Sequence, residues 1–149
     1  MQSLTDLKKR YVNFYEAEAV SVAELKSVEI SLGVKLPDDF NEISKFYNGG
    51  LLGGISHNEI SSSGSATNIV DETIRLRNTI SLDRNYIVLA EPPGSLIVLN
   101  ISGVPAVIWC DAVDAKNINS QSFANDPDVW ESYSDFFEFL LDREESDDY

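Results

Sequence analysis

Residues 28–50 read VEISLGVKLPDDFNEISKFYNGG, and their punctuation decides the fold of the first third of the chain. Gly33 stands where a helix takes a left-handed stop. Pro37 stands in the first turn of the next helix, followed by Asp38 and Asp39, which the positive end of a helix dipole favours. Phe40, Ile43 and Tyr47 fall on one face of that helix, with Phe46 beside them. Asn48-Gly49-Gly50 then permits a left-handed exit. Two helices, parted at Gly33 and closed at Gly50, are expected.

Toward the N-terminus, Ser21 and Glu24 have the spacing of a capping box, and Val22, Leu25, Val28 and Leu32 form the stripe of the helix it opens. Ser3 with Asp6 predicts a further helix within residues 1–20, with Leu4, Leu7, Tyr11 and Phe14 on one face. Toward the C-terminus, residues 51–68 are rich in Gly and Ser and read as a loop or short irregular strands. Residues 69–80 predict a short helix, with Ile69, Thr73, Ile74 and Arg77 interleaved.

The period then changes. Residues 85–90, 95–100 and 105–110 are short β-branched runs separated by Glu91-Pro92-Pro93-Gly94 and Ser102-Gly103. Links this short predict an antiparallel meander, because parallel crossovers need more chain. The nearly continuous apolar character predicts cover on both faces. Residues 111–131 are polar, acidic and without clear period. Ser132 and Asp135 predict the start of a last helix, whose Tyr133, Phe136, Phe137, Leu140 and Leu141 make a core face. Residues 142–149 are expected to fray as an acidic tail. The fold class expected is α+β: N-terminal helices, a central, mainly antiparallel sheet and a C-terminal helix packing back on it, in a single domain over residues 1–149.

The chain carries 25 Asp and Glu against 11 Lys and Arg, a net charge of −14. The imbalance is concentrated: residues 111–149 hold 12 acids and 2 bases. Such a surface repels polyphosphate and anionic lipid, so neither direct nucleic-acid contact nor membrane binding is expected. It steers a basic protein partner toward the last quarter of the chain. No run approaches the roughly 18 apolar residues of a membrane span. The opening stretch lacks an apolar core followed by a small-residue cleavage site, so a cytoplasmic location is expected.

Little in the sequence points to catalysis. His57 is the one histidine, which excludes sites needing two imidazoles, and beside its Gly-rich turn it reads as a surface residue. Cys110, the one cysteine, ends an apolar strand and reads as an inert buried thiol. Asp111, Asp114, Asp126, Asp128 and Glu131 are the densest carboxylates, yet they lack the Gly that an EF-hand loop requires. Residues 48–54, NGGLLGG, lack the Lys and Ser or Thr of a phosphate loop and read as a helix stop and a tight bend. A carboxylate-dependent enzyme would need an enclosed pocket with perturbed acids. A non-enzymatic binding protein with no cofactor and no metal is the expectation.

The block from Val28 to Phe40, continuing through Ile43, Phe46, Tyr47 and Asn48-Gly49-Gly50, resembles the SUKH superfamily. That family has a helix ending in Glu-x-x-Leu-Gly, a Leu-Pro-x-x-aromatic helix start and a terminal Asn-Gly-Gly. Pro105 to Asp111 is similar to its last hairpin strand, and Ser132 to Leu140 to its closing helix, so the resemblance spans residues 21–141. The turn at Pro92-Pro93-Gly94-Ser95 lacks the family's acid, and residues 112–131 read as an insertion. The resemblance implies an immunity protein that binds and neutralises a cognate bacterial toxin domain, for instance a nuclease. A second branch implies a cytosolic interaction adaptor of the cell-wall-regulator type. The expected partner surface is Asp111, Asp114, Asp126, Asp128, Trp130 and Glu131, with Trp130 as an aromatic anchor among acids. A monomer and a homodimer both fit the sequence.

Overall fold

In the computed structural model, which describes residues 3–62, 64 and 66–146, three helices come first: α1 (Leu4–Val12), α2 (Val22–Leu32) and α3 (Asp38–Ile43). Ser3 caps α1 by accepting from the Asp6 N–H, and Ser21 and Glu24 close a full capping box on α2. Gly33 ends α2 at φ +68°. Pro37 is the N-cap of α3 rather than a first-turn residue. The helical part of residues 1–20 is shorter than expected, because the chain leaves α1 at Asn13 and hydrogen-bonds Glu18 and Val20 to the carbonyls of Phe46 and Ser44. Two stripe residues are corrected accordingly. Phe14 lies past the helix and is exposed, and Val22 sits in the first turn of α2 at 83% exposure.

The Gly-rich stretch is a hairpin, β1 (Gly50–Leu52) and β2 (Ile55–His57). Next come α4 (Ile69–Ile80) and the meander β3 (Tyr86–Ala90), β4 (Ser95–Asn100) and β5 (Val107–Asp111). A 3-10 segment (Ala112–Ser120) leads to a strand the sequence did not announce, β6 (Asp128–Trp130). The chain closes with α5 (Tyr133–Ser146). The four strands form one antiparallel sheet in the order β3-β4-β5-β6.

Both sheet faces are covered. Ile87, Leu89, Ile97, Leu99 and Val107 point into the larger core with α1, α2, α3 and α5. Tyr86, Val88, Leu96, Val98, Ile108 and Cys110 point the other way, against Leu76 of α4, Leu82 and Ile118 of the 3-10 segment. Strands buried on both sides must be apolar at every position, which explains their lack of alternation. In the larger core, Phe137 packs edge-on against Phe46 and Tyr47 and tilts against Tyr11.

The end of α5 is not a frayed tail as far as Ser146. Glu144 is buried and accepts from the Tyr15 hydroxyl (2.7 Å) and the Gly53 N–H (3.2 Å). Arg10 binds Asp142 and Glu145, and these acids raise its pKa further. Asp147, Asp148 and Tyr149 of the expected tail lie outside the described residues.

Candidate functional interface

Three polar residues of the 28–50 block, Glu29, Asp39 and Asn48, are used within the fold. Glu29 accepts from the Leu36 N–H (2.8 Å) and so ties the α2–α3 link. Asp39 accepts from the Ser134 N–H (2.9 Å), capping the start of α5 from across the core. Asn48 accepts from the N–H groups of Ile60 and Ser61 and donates to the Ser61 carbonyl. Each side chain satisfies backbone groups that the fold would otherwise bury without partners. These residues build the scaffold.

His57 is a correction to the sequence reading. It is 8% exposed, set edge-on to Tyr47 and Phe136. It lies so because β2 turns its alternate residues, Ile55 and His57, into the core. Burial pushes its pKa down to about 4, partly opposed by a bond to the Leu52 backbone. The folded chain therefore holds a neutral imidazole, while the unfolded chain takes a proton near pH 6.5. The contribution is full above pH 6.5 and is lost as the pH falls toward 4, at up to about 1.4 kcal/mol per pH unit. Urea melts should show the wild type losing about that much between pH 6 and 5, and His57→Phe losing markedly less. Equal slopes would mean that the native imidazole is already charged.

Cys110 is buried, and burial together with Asp114 and Asp111 pushes its thiol up to about 11, which suppresses the nucleophilic thiolate. The Gly-rich turn is occupied from within: the Gly53 N–H points at the Glu144 carboxylate, which a phosphate would have to displace. A groove of about 330 Å³ between α2 and the start of α4 holds Glu24 and Asp71 among serines and Asn68. Hydrogen bonds from Ser61 and Ser21 hold Glu24 below the usual carboxylate range, the opposite of a general acid's shift. No group of three or more metal-ligating side chains occurs among the described residues. No described helix is long and apolar enough to cross a membrane.

The six acidic-segment residues divide into three roles. Asp111, Asp126, Asp128 and Glu131 are exposed. Asp128 pairs with Trp109 across the β5–β6 ladder, and beyond it the chain runs back toward Asp111, which accepts from Asn125 Nδ2 (2.8 Å). Asp111 and Asp128 thus stand toward one end of the β5–β6 pair, with Asp126 just before that strand, and Glu131 follows β6 at its other end, past the Val107–Trp130 pair. Asp114 is different: at 1% exposure it faces inward and accepts from the N–H groups of Ala124 (2.8 Å) and Asn125 (3.2 Å). Those donors hold its carboxyl below the usual range. Asp114 therefore pins the 121–127 loop and positions its neighbours without being available to a partner. Trp130 is half-buried, with ring centroids 4.8 Å from Phe136 and 4.9 Å from Phe139. Its ring packs on the core rim beside α5.

Sequence reasoning missed β6 because three residues, Asp128-Val129-Trp130, are too few to display a period. The inward role of Asp114 carried no sequence signal either, since it depends on a loop folding back ten residues later. The model of the SMI1 / KNR4 family (SUKH-1) matches residues 19–142. No curated protein matches the chain.

Proposed function

The chain belongs to the SMI1/KNR4 family (SUKH-1), and from that premise we infer that it is a non-catalytic immunity protein that neutralises a toxin domain by covering a basic face of it. The observation that carries this reading is the set of exposed carboxylates Asp111, Asp126, Asp128 and Glu131, which flank the β5–β6 edge of the sheet at both ends. These carboxylates lie in the segment of 12 acids and 2 bases, while Glu29, Asp39 and Asn48 of the 28–50 block are spent on bonds within the fold. A nuclease-type toxin is basic where it holds nucleic acid, and a set of carboxylates matches that field and speeds the encounter. Action in the cytoplasm, where such a toxin would meet its target, belongs to the same reading.

Replacing Asp111, Asp126, Asp128 and Glu131 together with Lys tests it, with Asp114 left unchanged because it holds the loop. The variant should keep its thermal melt. It should lose protection against the toxic domain encoded beside it in a growth assay, with affinity falling roughly 100-fold or more. Full protection by the variant would remove this surface from the interface. Capture of a housekeeping protein from the host cells, with no toxic neighbour, would favour the adaptor role.

A further inference from the structure

The two edges of the four-stranded sheet are treated differently. At the β3 edge, the Val88 N–H donates to Thr73 Oγ1, the Val88 carbonyl accepts from Asn58 Nδ2, and the Leu89 carbonyl accepts from the Asn58 N–H. That edge is closed by the Thr73 side chain of α4 and by the side chain and main chain of Asn58 following β2. At the other edge, β6 is the last strand in the order, and Asp128, Val129 and Glu131 are exposed.

The ladder tells which backbone groups face out. Asn100 donates to the Ala106 carbonyl, so within the antiparallel β4–β5 pair Val98 and Ile108 form a hydrogen-bonded pair. Val107 and Trp109 then turn their N–H and C=O toward β6, to meet Trp130 and Asp128. The Val129 N–H and C=O are left pointing away from the sheet. The side chains alternate likewise: Asp128 and Trp130 lie on the α5 side with Trp109 and Val107, and Val129, half exposed, lies on the opposite side with Ile108.

We propose that the β6 edge receives an extended basic segment of the partner toxin domain as a fifth strand, with Lys or Arg opposite Asp128 and an apolar residue opposite Val129. This inference rests on the reading of the chain as a toxin-binding protein. A second copy of the chain is the wrong occupant, because β6 against β6 would bring two sets of Asp126, Asp128 and Glu131 together. The same charges that protect an edge from self-pairing select a strand of opposite sign. Main-chain hydrogen bonds supply affinity, and the alternating side chains supply choice.

The probe is a heptapeptide alternating lysine and valine, titrated into the protein at about 0.15 M salt and followed by amide NMR. Shifts should centre on Val129 and Glu131 and cross to Val107–Asp111, with slowed exchange of the Val129 amide. The same peptide N-methylated on alternate residues keeps its charge but loses strand bonding, and should bind about tenfold more weakly. Val129→Pro removes the outward N–H, which an edge strand tolerates, and should weaken the unmethylated peptide similarly while the thermal melt holds. Equal binding of the two peptides would mean that charge alone attracts them and would overturn strand docking. Shifts that bypass β6 would overturn it as well. The peptide result stands apart from the growth assay: an edge that pairs with the peptide, in a protein that protects against no toxin, would keep the docking mode and remove the immunity reading.

Discussion

Gly49→Ala should cost roughly 2–5 kcal/mol and lower the melting temperature by about 10 °C. Gly49 sits at φ +81°, where an L side chain is strained by about 1–2 kcal/mol. A Cβ there would clash with the Asn58 carbonyl oxygen and stand 2.9 Å from its carbon. Those are backbone atoms of the chain after β2, and Asn58 also closes the β3 edge, so they cannot yield without disturbing the sheet. Gly50→Ala is the internal control. It has φ +91° but no atom within 4 Å of a built Cβ, so it should show only the backbone cost. Thermal melts of the two variants decide the matter. Equal losses would mean that strain alone, and not close approach, requires glycine in this motif.

Phe137→Ala should destabilise the protein by about 3–5 kcal/mol. Its ring is fully buried and touches Tyr11 of α1 together with Phe46 and Tyr47 beyond α3, so it joins two separate pieces of chain to α5. Removing it leaves a void bounded by large rings whose backbones are fixed by Asn48 and Asp39, which limits collapse into the gap. Phe139→Ala two positions away should cost much less, because that ring is only half-buried against Trp130 and the Arg143 guanidinium. Urea unfolding at neutral pH measures both. A loss below about 1 kcal/mol for Phe137→Ala would mean that the aromatic cluster repacks freely.

The exposed carboxylates also bear on the open edge of the sheet. That edge is short, three residues, and carries charge on both flanks. Those are the devices by which natural sheets discourage edge pairing. A binding protein turns the same device to selection, because the repulsion that excludes a like-charged strand becomes attraction for a basic one.

Local chemistry was enough to read most elements from the sequence. The stop at Gly33, the capping box at Ser21 and Glu24, the helix over residues 69–80 and the three-strand meander each rest on interactions within a few residues, so their signals are written locally. The cover on both sheet faces was legible for a related reason: a strand buried twice has no position at which a polar side chain fits. The acidic segment and its net charge were likewise plain from composition. Long-range pairing decided the rest. Asp114 became a loop-pinning residue because Ala124 and Asn125 fold back onto it, and Trp130 became core cover because α5 presents Phe136 and Phe139 to it. His57 was carried inside by the parity of β2, and Glu144 was drawn from an expected tail into contact with Tyr15 and Gly53. Sequence alone thus determined the helices, the meander and where the charge lies. Tertiary structure decided which of those charges are exposed and which are held inside, because burial and strand pairing are set by residues far apart in the chain.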